Sequence, residues 1–225
     1  MKILSIIPAR GGSKGVKNKN IKILANQPVL QYSIKASQNS KYINKTIVST
    51  ENQKIISLAK KLNCQVIIRP KKLATDTAKL EPVISNVLKQ LETQENYVPD
   101  IVVLLQNTSP LRTSRHIDES IELFLKKQFD SLLSVTNSHN FLWKSKNEIG
   151  VPINYNPTQR PNRQEMKNQF VENGAIYITT YNAFKKSLCR ISGKIGMYFM
   201  SPEDSYQIDS LDEFYFIETL MKNKN

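Results

Sequence analysis

Residues 6–20 read Ile6-Ile7-Pro8-Ala9-Arg10-Gly11-Gly12-Ser13-Lys14-Gly15-Val16-Lys17-Asn18-Lys19-Asn20. An apolar run (Ile3, Leu4, Ile6, Ile7) stops at Pro8. A loop follows with three glycines and four cations, Arg10, Lys14, Lys17 and Lys19. A short apolar run bounded by a turn reads as a buried strand. Glycines permit positive φ and let backbone N–H groups approach a ligand closely. Successive N–H groups in such a turn form an anion-binding concavity, and the cations add full charges to it. The expected ligand is a phosphorylated molecule, most simply a nucleoside triphosphate. The glycine order is neither that of a P-loop nor that of a dinucleotide fold. A solvated basic turn is the plainer alternative. The position directly after a strand favours the phosphate site, because α/β proteins bind ligands at the carboxyl ends of strands.

Outward from this loop, strand and helix patterns alternate. Strands are predicted over 45–49, 65–68, 101–105 and 131–135. Helices are predicted from Val29 to about Ser40 and over 52–62, 80–91 and 117–125, where apolar residues recur at helical spacing. Ile101-Val102-Val103-Leu104-Leu105 is a continuous apolar run of the kind found in central parallel strands. The β-α-β-α order predicts a doubly wound, mostly parallel sheet with helices on both faces. From Asn137 to about Asn168 the pattern stops, and a loop of that length is usually functional or part of an interface. It returns as a strand over 174–179, a short helix over 181–188, a strand over 196–200 and a last amphipathic helix over 211–221.

At 225 residues the chain fits one sizeable domain, 1–225, carrying the 137–168 insertion. It is 40% hydrophobic and 23% charged, ordinary for a globular protein. No stretch approaches the ~20 apolar residues of a membrane span, and no signal-peptide pattern opens it. A cytoplasmic protein is expected, with Cys64 and Cys189 as reduced structural thiols matching no metal spacing. The formal net charge of +13 raises nucleic acid as a partner. The lysines are scattered rather than gathered in a stripe with aromatics, so a general attraction for anions is the better reading. His116 reads as a helix-start residue and His139 as a loop residue. No G-x-S-x-G elbow is present, so nucleophilic and zinc chemistry are not expected.

Polar clusters follow the strand ends. Arg69-Pro70 leads to Leu73-Ala74-Thr75-Asp76-Thr77-Ala78, where Thr75 or Asp76 could simply cap the next helix. Gln106-Asn107-Thr108-Ser109-Pro110-Leu111-Arg112 offers a carboxamide and two hydroxyls as a lip for a base and a sugar. Arg163-Gln164-Glu165 precedes Glu172-Asn173-Gly174-Ala175-Ile176-Tyr177. Tyr206-Gln207-Ile208-Asp209 precedes the last helix, which Asp209 or Ser210 could cap.

These five segments, in this order, resemble the signature of the acylneuraminate cytidylyltransferases, also called CMP-sialic acid synthetases, over nearly the whole chain. The resemblance implies a Rossmann-like nucleotidyltransferase fold. It implies transfer of CMP from CTP to the anomeric hydroxyl of a nine-carbon 2-keto sugar acid, with release of pyrophosphate. The implied nucleotide-binding residues are Ala9, Arg10, Gly11, Gly12, Ser13, Lys14 and Asn20 with Arg69, Ala74, Thr75, Asp76 and Thr77. Gln106, Thr108, Ser109, Arg163 and Asn173 are implied for the sugar acid; an arginine fork suits a carboxylate, and Arg160 is a nearby candidate. Arg10, Lys14, Lys19 and Asp209 form the implied catalytic set. The family usually carries a second carboxylate two residues before Asp209, where this chain has Gln207, and a proline where it has Asn107. Asp209, with Gln207 as a second candidate ligand, would hold Mg²⁺ or another divalent cation, which takes oxygen ligands. The 137–168 segment matches the part that family members extend onto a partner subunit, which implies a homodimer. No general base stands out. Legionaminate, pseudaminate, 3-deoxy-manno-octulosonate, or guanylyl transfer to a sugar phosphate remain sibling readings. A non-catalytic nucleic-acid binder is the alternative of a different class.

Overall fold

Seven strand segments bury their side chains on two faces of one sheet, and that split organises the molecule. The computed structural model describes residues 1–166 and 168–223. Lys167, inside the expected insertion, and Lys224 and Asn225, at the end of the expected domain, lie outside the described residues. In chain order the elements are β1 (Ile3–Pro8), β2 (Ile23–Leu24), β3 (Gln27–Pro28), α1 (Val29–Gln38), β4 (Lys45–Thr50), α2 (Gln53–Lys61), β5 (Gln65–Ile68), α3 (Leu80–Glu95), β6 (Ile101–Leu105), α4 (Ser114–Lys127), β7 (Ser131–Asn137), β8 (Trp143–Lys146), β9 (Ile149–Pro152), β10 (Phe170–Thr180), α5 (Tyr181–Ser187), β11 (Ile195–Phe199) and α6 (Leu211–Asn223).

The main sheet has the order β11-β7-β10-β6-β1-β4-β5. Every pairing is parallel except those of β10, which runs antiparallel to both β6 and β7. Side chains alternate across the pleat. Ile3 and Ile7 face α1, α2 and α4 in one core, whereas Leu4 and Ile6 face α3 in the other. The doubly wound arrangement predicted from the β-α-β-α pattern is therefore present. A third, smaller cluster packs Val16 of the glycine loop with Ile208 and with Phe214 and Ile217 of α6. It anchors the loop to the end of the chain.

Several boundaries shift for local reasons. Asn52, expected inside the second helix, is its N-cap, accepting from the N–H groups of Lys54 and Ile55. α4 starts three residues before Ile117 because Thr113 and His116 form a capping box. The 137–168 segment is not wholly irregular. β8 and β9 form a separate two-stranded hairpin whose two turn residues, Asn147 and Glu148, have φ of 50° and 66°, as a tight hairpin turn requires. β10 also begins earlier than expected, at Phe170, and its register against β7 breaks between Glu172 and Tyr177. The irregularity pushes Asn173–Gly174 out of the ladder toward the carboxyl end of β6. Among the described residues no helix is long and apolar enough to cross a membrane.

Candidate active site

The carboxyl ends of β1, β5 and β6 open into one cavity of about 280 Å³. Arg10, Lys19, Asn20, Arg69, Thr75, Asp76, Gln106, Thr108 and Asp209, drawn from four distant stretches of sequence, all line it. None of the residues expected at the site lines the larger hollow of about 500 Å³ between α1, the start of α4 and α6.

The glycine loop is held by close contacts, not by unusual backbone angles. Gly11, Gly12 and Gly15 all avoid positive φ, contrary to the expectation that they serve a left-handed turn; Asn18 takes that conformation, at φ 57°. A Cβ on Gly15 would lie 1.7 Å from the backbone oxygen of Asp209, and one on Gly11 would lie 2.4 Å from Asn52 Nδ2. Gly12 has no neighbour within 4 Å of such a Cβ, so its face is open to a ligand. The Gly11 N–H donates to Glu51 Oε1 at 2.6 Å, and the Asn20 amide donates to the Arg10 carbonyl at 2.9 Å.

Lys19 joins this loop to the stretch before α6. Its ammonium donates to the Ile208 carbonyl at 2.7 Å and lies 3.6 Å from Asp209 Oδ1. Burial pulls its pKa below the ordinary lysine value, with Asp209 opposing the shift. The Ile208 N–H donates to the Thr108 carbonyl, so both backbone groups of Ile208 are tied. Ser210, not Asp209, caps α6: Ser210 Oγ accepts from the Glu213 N–H, and Glu213 Oε2 accepts from the N–H groups of both Asp209 and Ser210. The Asp209 carboxylate is left exposed at the cavity.

Asp76 does not cap α3, whose N-cap is Lys79 without a side-chain bond. Its two oxygens instead meet Arg10 Nη1 at 2.5 Å and Lys14 Nζ at 3.1 Å. These hydrogen bonds, Lys14 first and Arg10 second, hold the Asp76 carboxyl below the usual carboxylate range. Lys14, Ala74 and Thr77 are not among the cavity lining, and Lys14 reaches the site only through Asp76.

Other expected residues are absorbed by the fold. Ala9 is fully buried. Ser109 is buried and donates to the Asn173 carbonyl. The Asn173 amide is spent internally, accepting from Ser134 Oγ at 2.6 Å and the Ala175 N–H and donating to Ser205 Oγ. The side chain is 2% exposed, with Oδ1 taken by two donors and one amide N–H by Ser205. Ser13 and Gln207 stand outside the cavity lining; Gln207 Oε1 accepts from Thr108 Oγ1 at 3.4 Å. Arg163 is exposed on a 3₁₀ turn of the insertion and does not line the cavity either.

Sequence reasoning gave no site role to three supporting residues. Glu51, at the end of β4, accepts from Gly11 and also from Arg69 Nε at 3.1 Å, linking the two basic loops. Its position after a strand end was the available signal. Asn107 donates to the Pro8 carbonyl at 3.1 Å, an amide clamp where the resemblance leads one to expect proline. Arg112 is buried and donates to the carbonyls of Gln106 and Ala175 and to Ser33 Oγ. Burial pushes its guanidinium down to about 9, still protonated at neutral pH.

Residues 4–224 match the family model described as cytidylyltransferase. The chain belongs to the cytidylyltransferase family. It is 34% identical over 211 residues to N-acylneuraminate cytidylyltransferase A of Danio rerio, covering 92% of this chain and 48% of that protein. It is 30% identical over 226 residues to post-translational flagellin modification protein B of Campylobacter coli, covering 99% and 96%. The chain thus spans about half the length of the first relative and nearly all of the second. Its fold is that of CMP:2-keto-3-deoxy-manno-octonic acid synthetase, with a TM-score of 0.74, 14% identity and full coverage of both chains. For a cytidylyltransferase the cavity has a direct chemical reading: cations from two loops meet two exposed carboxylates, Asp76 and Asp209, at the strand ends.

Proposed function

We propose that this cytidylyltransferase moves CMP from CTP to the anomeric hydroxyl of a nine-carbon 2-keto sugar acid, sialic acid or a relative such as legionaminate or pseudaminate, and releases pyrophosphate. The observation that carries the reading is the convergence of Arg10, Lys19, Arg69 and Asp209 on one cavity. The name of the Danio rerio relative, N-acylneuraminate cytidylyltransferase A, supports it.

Little covalent work falls to the protein in such a transfer; positioning and charge neutralisation dominate. Arg10 and Lys14 would hold the β- and γ-phosphates against the glycine loop, with the open face of Gly12 admitting them. Arg69, oriented by Glu51, would neutralise charge from the facing loop. Gln106 and Thr108 would position the acceptor near the α-phosphate.

A divalent cation fits the site in one way. Among the described residues no group of three or more histidine, cysteine or acidic side chains could cage a metal. The Asp209 carboxylate is 68% exposed and is touched by one cation at 3.6 Å. That suits Mg²⁺ held by one carboxylate, with phosphate oxygens and waters as the remaining ligands. Gln207, engaged by Thr108, would act through water. A bound Mg²⁺ would neutralise phosphate charge and acidify the acceptor hydroxyl.

The reading includes a homodimer. Support comes from Met197 and Phe199, which leave the β11 end of one sheet face apolar and exposed, and from Leu142, Trp143, Ile149 and Ile153 on the insertion. Arg163, outside its own cavity, would then meet the sugar carboxylate in a second subunit. The cytoplasm is the compartment where CTP is supplied, and the reading places the protein there.

Pyrophosphate release from CTP with Mg²⁺, measured against N-acetylneuraminate, legionaminate, pseudaminate and octulosonate, tests the proposal. Release with one nine-carbon acid that stops on chelation supports it. Silence across the panel from folded protein refutes it.

A further inference from the structure

Asp76 is placed unlike the other acids of the site. Glu51 is nearly buried and accepts from a backbone N–H as well as from Arg69. Asp209 presents an exposed carboxylate to the cavity, with the Lys19 ammonium 3.6 Å from Oδ1. Asp76 instead bridges Arg10 and Lys14, one oxygen to each, across 66 residues of sequence. It caps no helix, and its side chain is 40% exposed, so little holds it except those two cations. Two oxygens of one anionic group, each on a different cation of a glycine-rich loop, is the arrangement a phosphate would adopt there.

We infer that Asp76 is an internal competitor for the phosphate subsite: its carboxylate occupies Arg10 and Lys14 until a polyphosphate displaces it, and it returns as pyrophosphate departs. The inference rests on the nucleotide reading above. The physical reason is that a carboxylate and a phosphate cannot share the same two cations without like charges in contact. A group carrying several negative charges on adjacent phosphates outbids a single carboxylate for them. The displaced side chain swings into water at small cost because it is already part-exposed. A ligand's apparent affinity is then its intrinsic affinity reduced by the fraction of protein with the cations free. The compensation is that the empty loop stays ordered and does not retain its product.

The test is calorimetric titration of inorganic pyrophosphate, and separately of CTP, into the wild-type chain and the Asp76→Asn and Asp76→Glu variants at fixed salt. Exposed ion pairs of this kind are each weak, so losing two of them should tighten binding of both ligands to Asp76→Asn by roughly 2- to 30-fold. Asp76→Glu, which can rebuild the bridge, should lie near wild type. Unchanged or weaker binding by Asp76→Asn, while the wild type binds, overturns the inference and leaves the nucleotide reading intact. Absence of binding in every protein overturns both.

Discussion

Gly15 lies so close to Asp209 that a Cβ on the glycine would stand 1.7 Å from the aspartate's backbone oxygen. The two residues are 194 positions apart, 209 minus 15. The glycine loop and the metal-ligand candidate are thus packed backbone to backbone, and Lys19 clasps the same stretch through Ile208.

Gly15→Ala should therefore displace Asp209 itself. Overpacking of this kind costs about 1–3 kcal/mol, and turnover should fall further than stability because Asp209 moves relative to Arg10. Gly12→Ala is the contrasting variant. With open space around it, the melting temperature should hold while CTP affinity drops. Thermal melts and pyrophosphate release on the two variants separate these outcomes, and equal behaviour of both would contradict the packing argument.

Glu51→Ala removes the acceptor shared by Gly11 and Arg69. Arg69, only 3% exposed on its side chain, would be left without its counter-charge, and hydrogen bonds to charged groups are worth about 1.5–3 kcal/mol. Denaturant titration should show a loss in that range, with a rise in KM for CTP. Unchanged KM would mean that the link between the two loops has no bearing on nucleotide binding.

Arg112→Met tests a buried cation with no acidic partner. The substitution removes a desolvated charge, takes the guanidinium donor from the buried Ala175 carbonyl and leaves the Gln106 carbonyl with the Ser109 N–H at 3.4 Å. An unpaired buried acceptor costs about 1–3 kcal/mol, so a net destabilisation of that size is expected, with the Gln106–Arg112 turn loosened. A more stable variant would show that desolvation of the guanidinium outweighs its hydrogen bonds.

Glu213 gives the stretch before α6 a pH dependence. Its carboxyl is held below the usual carboxylate range, first by the hydrogen bond from the Asp209 N–H and also by those from Ser210. A depressed folded-state pKa contributes stability above the unfolded value, near 4.3, and that contribution disappears as pH falls through the lower folded value. Glu213→Gln should flatten this limb of the stability profile below about pH 4.3 while leaving the slope at neutral pH unchanged. An identical acid limb in both proteins would remove Glu213 from the account.

The comparison of sequence with structure divides along a physical line. Alternation of apolar runs made the doubly wound sheet legible, because burial on two faces must repeat with the strand and helix periods. The polar clusters at the strand ends were legible for the same reason: a parallel strand buried on both faces can carry polar chemistry only where it stops. Arg10, Arg69, Gln106 and Asp209 could thus be picked out one by one, and the structure brings them to one cavity.

Pairing across the chain was not legible. Nothing local distinguishes Asp76 as the partner of Arg10, Ser210 rather than Asp209 as the cap of α6, or Asn173 as a buried clamp rather than a free amide. The antiparallel course of β10 and the break in its register against β7 depend on how the insertion returns to the sheet, which no periodicity records. The sequence by itself determined which residues carry charge and where the buried runs end. Only the tertiary structure decided which charges neutralise one another and which remain free for a ligand, because those contacts depend on distances between segments that local propensity does not constrain.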